Sequence, residues 1–318
     1  MIELPSAAEL EAAARIVYRH MPATPQYRWP MLCEALGADV WLKHENHTPV
    51  GAFKLRGGLV YFDQLGKVPG VIAATRGNHG QSVAYCAREY GVPATVVVPH
   101  GNSAEKNASM RALGARLIEC GHDFQAAFEH AQALAQDERL HLVPSFDRRL
   151  VAGVGTASVE LLRAVPDLEA LYVPIGLGSG ICAAIAARNA LGLRTEIVGV
   201  VSAHARAYAV SFAERRPAEM PVSTRLADGM AVRKPDARAL EVILRDVDRV
   251  VEVSDDQVAQ AIALIFQAAH NVAEGAGAAG VAALHKERAR IAGRRVAAVL
   301  SGGNIDRPLF AEVLAREH

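Results

Sequence analysis

Short apolar runs rich in β-branched residues alternate along this chain with helical stretches, and that alternation predicts the architecture before any chemistry is considered. Strands are predicted at 71–74, 94–98, 116–119, 171–175, 197–201, 249–253 and 296–300. Between them the pattern predicts helices such as 81–89, stopping before Gly91, and 104–113, stopping at Gly114, with glycine where a helix ends most easily. Ser254-Asp255-Asp256-Gln257 reads as a capping box that opens a long helix running to Ala269. Strand–helix alternation of this kind implies an α/β fold with mostly parallel sheets covered on both faces. No repeat, low-complexity tract or long linker interrupts it. Two intimately connected α/β lobes are therefore expected.

Composition narrows the function classes. The chain has 318 residues, of which 51% are hydrophobic and 21% charged, so it is long enough for two lobes and globular rather than disordered. Basic and acidic residues balance at 34 each, so no charge excess points to nucleic acid or an anionic membrane. Cys33, Cys86, Cys120 and Cys182 are scattered without metal or redox spacing and read as buried thiols in a reducing compartment. The N-terminus lacks the basic start and apolar run of a signal peptide. Residues 170–187 are uncharged, but Pro174 and three glycines divide them into a strand, a turn and an Ala-rich helix. A cytoplasmic protein with no membrane partner is expected.

The candidate chemistry sits at strand ends. Thr75-Arg76-Gly77-Asn78-His79-Gly80 follows one predicted strand, Gly176-Leu177-Gly178-Ser179-Gly180 a second, and Ser301-Gly302-Gly303-Asn304 a third. In open parallel sheets ligands bind beyond the carboxyl ends of the strands, so the three turns point to one crevice. The 176–180 turn presents backbone N–H groups at a helix start and suits a phosphate dianion, unless it is only a tight strand-to-helix turn. Its glycine spacing and the absence of an acid after the next strand argue against a dinucleotide turn. Gly77–Gly80 offers backbone donors, an amide and an imidazole to a carboxylate or phenolic oxygen, or merely caps a helix. Lys54, in the run from His47 to Gly57, is flanked by Gly51 and by Gly57-Gly58, which let backbone approach a ligand closely. Its amine can form a Schiff base with an aldehyde cofactor; the plainer alternative is an exposed lysine opening a helix.

Lys54 with Arg56-Gly57, then Gly77 to Gln81, Val173 to Gly180, Ala227-Asp228-Gly229 and Ser301 to Asn304, in this order, resembles the fold-type-II pyridoxal-phosphate enzymes. Within that tryptophan synthase β-like group, the pattern looks like the threonine/serine dehydratase (ammonia-lyase) branch, which also holds serine racemase and hydroxyaspartate dehydratases. The likeness runs from about residue 20 to the C-terminus. The chain ends soon after its final helix, so it resembles the short catabolic type without a regulatory domain.

The resemblance implies two open, mostly parallel twisted sheets flanked by helices. A large cofactor-binding domain would comprise 1–69 and 146–318, with a small mobile domain at 70–145. Pyridoxal 5'-phosphate is the implied cofactor, the partner a small amino-acid substrate, and the assembly a homodimer. Lys54 would hold the cofactor covalently and take the substrate α-proton. Phe53, Asn78, Gly176, Leu177, Gly178, Ser179, Gly180, Glu274 and Ser301 would bind the cofactor, Asn78 at the ring 3′-oxygen and Ser301 at the ring nitrogen. Thr75, Arg76, Asn78 and His79 would meet the substrate. A neutral serine at the ring nitrogen brings no negative charge and stabilises a protonated ring far less than a carboxylate would. Prompt loss of a β-hydroxyl is then favoured over transamination, giving a 2-oxo acid and ammonia.

Several positions depart from the family. Ala52 replaces a serine near the lysine, Val154 replaces a common glutamine, and Arg76 stands where serine racemase carries its second acid–base serine. An arginine there is a poor proton donor, which disfavours racemisation. Thr224 stands near where metal-binding members carry a glutamate, so Asp228 lacks a second carboxylate and no metal site is expected. L-Threonine, with serine weaker, is the default substrate. Arg148 and Arg149, placed in a loop before Ala152-Gly153, leave open a dicarboxylate such as 3-hydroxyaspartate. The altered Ala52, Arg76 and Val154 leave open a bulky substrate such as phenylserine. A β-replacement enzyme, whose Thr-Ser-Gly-Asn-Thr loop is missing here, and a catalytically silent binding protein are the remaining readings.

Overall fold

The computed structural model describes residues 3–316; residues 1–2 and 317–318, the ends of the expected large domain, lie outside the described residues. The strands are β1 (Gln26–Arg28), β2 (Asp39–His44), β3 (Val71–Ala74), β4 (Ala94–Val98), β5 (Arg116–Glu119), β6 (His141–Leu142), β7 (Ala170–Pro174), β8 (Glu196–Ser202), β9 (Arg249–Val253) and β10 (Arg295–Leu300). They form a six-stranded sheet in the order β1-β2-β10-β7-β8-β9 and a four-stranded sheet in the order β5-β4-β3-β6. Every pairing is parallel except that of β1 with β2 at the edge of the larger sheet.

All seven predicted strands are present within a residue at either end. The central ones are apolar because parallel strands are covered on both faces, and all four residues of β3 are buried. β1, β2 and β6 escaped the pattern. β6 has only two residues, and β2 carries Lys43 and His44, both fully buried polar groups that periodicity counts as exposed. The capping box at Ser254 and Gln257 forms, and its helix runs from Asp255 to Ala269.

The six-stranded sheet separates two apolar layers. Leu42, Val200, Ile262 and Leu284 belong to one, and Leu171, Ile185, Ile197 and Ile243 to the other. A third cluster, including Leu55, Leu59, Val71, Val83 and Leu150, packs the Lys54–Asp63 helix between the two sheets. The turns after β3, β7 and β10 therefore all emerge at carboxyl ends of parallel strands, the position that favours ligand binding. No described helix is long and apolar enough to cross a membrane.

Candidate active site

Lys54 is the first residue of its helix, and the chain before it is clamped to the end of β10. Phe53 N donates to Ser301 O at 2.9 Å, Gly303 N donates to Gly51 O at 2.9 Å, and Ala52 bridges Gly302. These bonds bring the lysine and Ser301 together although 247 positions separate them. Lys54 Nζ donates to Ser179 Oγ at 3.1 Å, in the turn after β7. Burial lowers its amine to about 8, so it is not the exposed lysine of the plainer alternative.

The glycines after Lys54 have a different use from the one expected. A Cβ on Gly57 would sit 2.8 Å from Leu150 O, and one on Gly58 2.3 Å from Ser82 Oγ. One on Gly153 would meet Arg56 O at 2.2 Å. They let the Lys54 helix lie against the Asn78–Glu89 and Arg148–Ala164 helices, and they fix the lysine through helix packing rather than by approaching a ligand. Arg56 anchors the same helix from below. Its guanidinium, fully buried, bonds Glu45 at 2.7 and 3.0 Å and Glu160 at 2.7 and 2.9 Å. Lys43 Nζ reaches Glu160 at 2.5 Å, so two cations meet two carboxylates. Burial pushes Glu160 up, but the Arg56 and Lys43 charges prevail and hold it below the ordinary carboxylate value.

The turn after β7 is held open for a ligand. Gly178 has φ +103°, a left-handed conformation, and caps the Ser179–Ala190 helix without a side-chain bond. A Cβ on Gly176 would strike Gly229 O at 2.5 Å. Tyr208 Oη donates to Leu177 O at 3.0 Å, fixing that carbonyl. The first amides of this helix have no acceptor within it, which leaves a cradle for an anion. Phe53, Gly180 and Ser301 line one recess together with Val154, Ala157 and Ser158.

The turn after β3, from the smaller sheet, meets the turn after β10 through Asn78 and Asn304. Thr75 Oγ1 accepts from Gly77 N at 3.0 Å and Gly80 N at 3.2 Å, leaving only its hydroxyl hydrogen to offer outward. Arg76 is exposed. Asn78 accepts from Asn304 Nδ2 at 2.8 Å and donates to Glu274 Oε1 at 2.5 Å. His79 Nε2 is buried without a partner, and burial with the nearby Lys54 charge pushes the imidazole down to about 3. It is therefore a neutral ring.

One sequence expectation about the arginines needs correction. Arg148 and Arg149 do not lie in a loop; they open the Arg148–Ala164 helix behind its cap, Asp147. Arg148 binds Glu9 at 2.5 and 2.7 Å, while Arg149 binds Asp147 at 2.9 Å and stacks 4.0 Å from the Tyr61 ring. Both guanidinium groups are engaged within the protein. Thr224 bonds Asp255 at 2.7 Å, and Asp228 faces the ammonium of Lys106 at 2.7 Å. Lys106 was not singled out from the sequence. It looks like any lysine on a helix, and its partners stand 122 and 168 positions away.

Comparison with known proteins matches this geometry. The profile of the family described as pyridoxal-phosphate dependent enzyme covers residues 17–302. The chain belongs to that family. It is 35% identical over 280 residues to the L-threonine ammonia-lyase of Thermotoga maritima, a match covering 87% of this chain and 70% of that one. It is 29% identical over 316 residues to the L-threo-3-hydroxyaspartate ammonia-lyase of Saccharomyces cerevisiae, covering 98% and 97%. Among solved structures, the processed form of threonine deaminase isoform 2 from Solanum lycopersicum superposes with a TM-score of 0.90 at 28% identity, covering 99% of this chain and 95% of that one. The cofactor of the family is pyridoxal 5'-phosphate, and the residues here fit it. A lysine of lowered pKa bonds the open anion cradle at Ser179 and lies near His79, and the orphaned buried atoms belong to His79 and to Glu274, the partner of Asn78.

Proposed function

We propose that this chain is a pyridoxal-phosphate-dependent ammonia-lyase that dehydrates and deaminates L-threonine, and L-serine more weakly, to a 2-oxo acid and ammonia. The observation that carries the reading is the junction at which Lys54 bonds Ser179 at the 176–180 cradle while the residue before it, Phe53, bonds Ser301. When bound, the cofactor supplies an electron sink for the carbon that loses its proton. Lys54 Nζ, held near 8 by burial, has a neutral fraction at physiological pH that can attach the cofactor and later accept the substrate α-proton. The cradle from Gly176 through Leu177, Gly178 and Ser179 to Gly180 would take the phosphate. Phe53, Asn78 and Glu274 would help to hold the ring, and Ser301 would offer it a neutral hydroxyl. Thr75, Arg76, Asn78 and His79 form the substrate side, with the turn at a helix start favouring a carboxylate.

Arg76 supports a second reading. With Arg148 and Arg149 engaged elsewhere, its exposed guanidinium is the group at this turn suited to a distal carboxylate, as in 3-hydroxyaspartate. A panel of L-threonine, L-serine, threo-3-hydroxyaspartate and phenylserine, assayed for ammonia and 2-oxo acid, separates the two. The highest kcat/KM is expected for threonine; a preference for hydroxyaspartate selects the second reading. No ammonia from any of them, with cofactor bound, contradicts both. The reading extends to a small mobile lobe at 70–145 that closes over the substrate, and to a cytoplasmic homodimer, tested by fractionation and native mass.

A further inference from the structure

Glu274 stands at the start of the Gly275–Lys286 helix, yet its side chain caps nothing there. It is 3% exposed. Oε1 accepts from Asn78, while Oε2 is buried without a hydrogen-bond partner. An ionised carboxylate left in that condition is costly, and burial pushes Glu274 up to about 7. The charge nearest to Oε2 is Lys106 Nζ at 3.6 Å, close enough for an ion pair and too far for a good hydrogen bond. Lys106 is anchored 2.7 Å from Asp228, whose charge acts on Glu274 in the opposite sense.

The two sides of this contact come from different sheets. Lys106 lies on the Ala104–Ala112 helix beside the four-stranded sheet, and its stem runs against the turn after β3; a Cβ on Gly77 would be 2.7 Å from Lys106 Cδ. Asp228 and Glu274 belong to the six-stranded side, as does Asp306, which adds a further negative charge near Lys106 and bonds Ser103 on the same helix start. Removal of that ammonium leaves Glu274 with the opposing charge of Asp228.

We propose that Lys106 is a positioning residue that acts through Glu274: reaching across from the helix beside the four-stranded sheet, it sets whether the carboxyl group bonded to Asn78 is charged. This rests on the lyase reading for its meaning in catalysis, but the contact itself is independent of substrate. Without the ammonium the buried carboxyl group keeps its proton, because desolvation and Asp228 both oppose ionisation. With Lys106 at 3.6 Å the carboxylate becomes accessible near neutral pH.

Infrared titration of the full-length holoenzyme tests this. The carbonyl stretch of the protonated carboxyl group, assigned by its loss in Glu274→Gln, is followed from about pH 5 to about pH 9. In the wild type it is expected to fade with a midpoint near neutrality. Lys106→Met is expected to move the midpoint up by about one pH unit or more, and Asp228→Asn to move it down. Opposite displacements are the outcome that a merely structural lysine does not produce. Equal midpoints in all three proteins, or displacements of one sign, overturn the proposal. Should Lys106→Met fail to fold, the direction in Asp228→Asn decides alone. Cofactor content and ammonia release from threonine are read on the same wild-type sample, so failure of the lyase reading is distinguished from failure of this one.

Discussion

Two clusters of cations and carboxylates lie near Lys54, built from the same residue types and put to different uses. In the first, Arg56 and Lys43 meet Glu45 and Glu160 within one lobe, and the guanidinium forks onto both carboxylates at 2.7–3.0 Å. Charges balance and every hydrogen-bonding atom of Arg56 has a partner. In the second, Lys106 meets Asp228 and Glu274 between the two sheets, with one carboxylate oxygen unpartnered and one more negative charge than positive. A buried charge group that is fully satisfied resists change, whereas one left short responds to whatever approaches it. The first cluster is scaffold for the lysine, with Lys43 and Glu45 in the wall of the recess beside Phe53; the second joins the turns of the two sheets through Asn78 and can still change state.

The sharpest way to break this comparison is to remove one cation from each. Arg56→Met leaves Glu45 and Glu160 buried without their partner, and a loss of about 3–5 kcal/mol is expected in chemical denaturation. Lys106→Met is expected to cost on the order of 1 kcal/mol, because Glu274 takes up a proton instead of remaining charged. Equal losses would erase the distinction.

The pH dependence of stability sharpens it next, because the clusters have opposite signs. Glu160 is held below its ordinary value of 4.5, so the folded protein binds fewer protons there than the unfolded chain. Its contribution is present above 4.5 and is lost as pH falls through the lower folded value. Glu274 is raised from 4.5 to about 7, so the folded protein holds the proton longer, and stability declines as pH rises between those values. Glu274→Gln should therefore gain on the wild type across that window when denaturation midpoints are compared from about pH 5 to about pH 7. A constant difference between the two proteins would remove Glu274 from the titration.

The smallest expected effect concerns the arginines that open the Arg148–Ala164 helix. Arg148→Ala should lower stability by less than about 1 kcal/mol, as for an exposed pair, and leave the kcat/KM ratio of threonine to 3-hydroxyaspartate unchanged. Arg76→Ala is the control in which that ratio should move if a distal carboxylate is read at this turn. Kinetics on the two variants check both statements.

The legible parts of the molecule were those in which local pattern and global fold agree. β3 and β4 match their predicted bounds because buried parallel strands are apolar with little interruption, and the edge strands β5 and β9 match through the short apolar cores Leu117-Ile118 and Val250-Val251. The turn after β7 announced itself because glycine is needed where Gly178 turns left-handed and where Gly176 meets Gly229. What stayed hidden depended on partners distant in sequence. Lys43 within β2 reads as a surface residue until Glu160 is beside it, and Lys106 until Asp228 and Glu274 are. The arginine pair misled for the same reason. Nothing local to Arg148 foretells that Glu9 will occupy it.

The central claim is that Lys54 carries the cofactor at the carboxyl ends of β7 and β10, and borohydride reduction followed by peptide mapping tests it most directly. The purified protein should be yellow, and after reduction the pyridoxyl group should be found on the peptide containing Lys54. A pyridoxyl group on any other lysine, or none on a protein that retains its cofactor, would contradict the account.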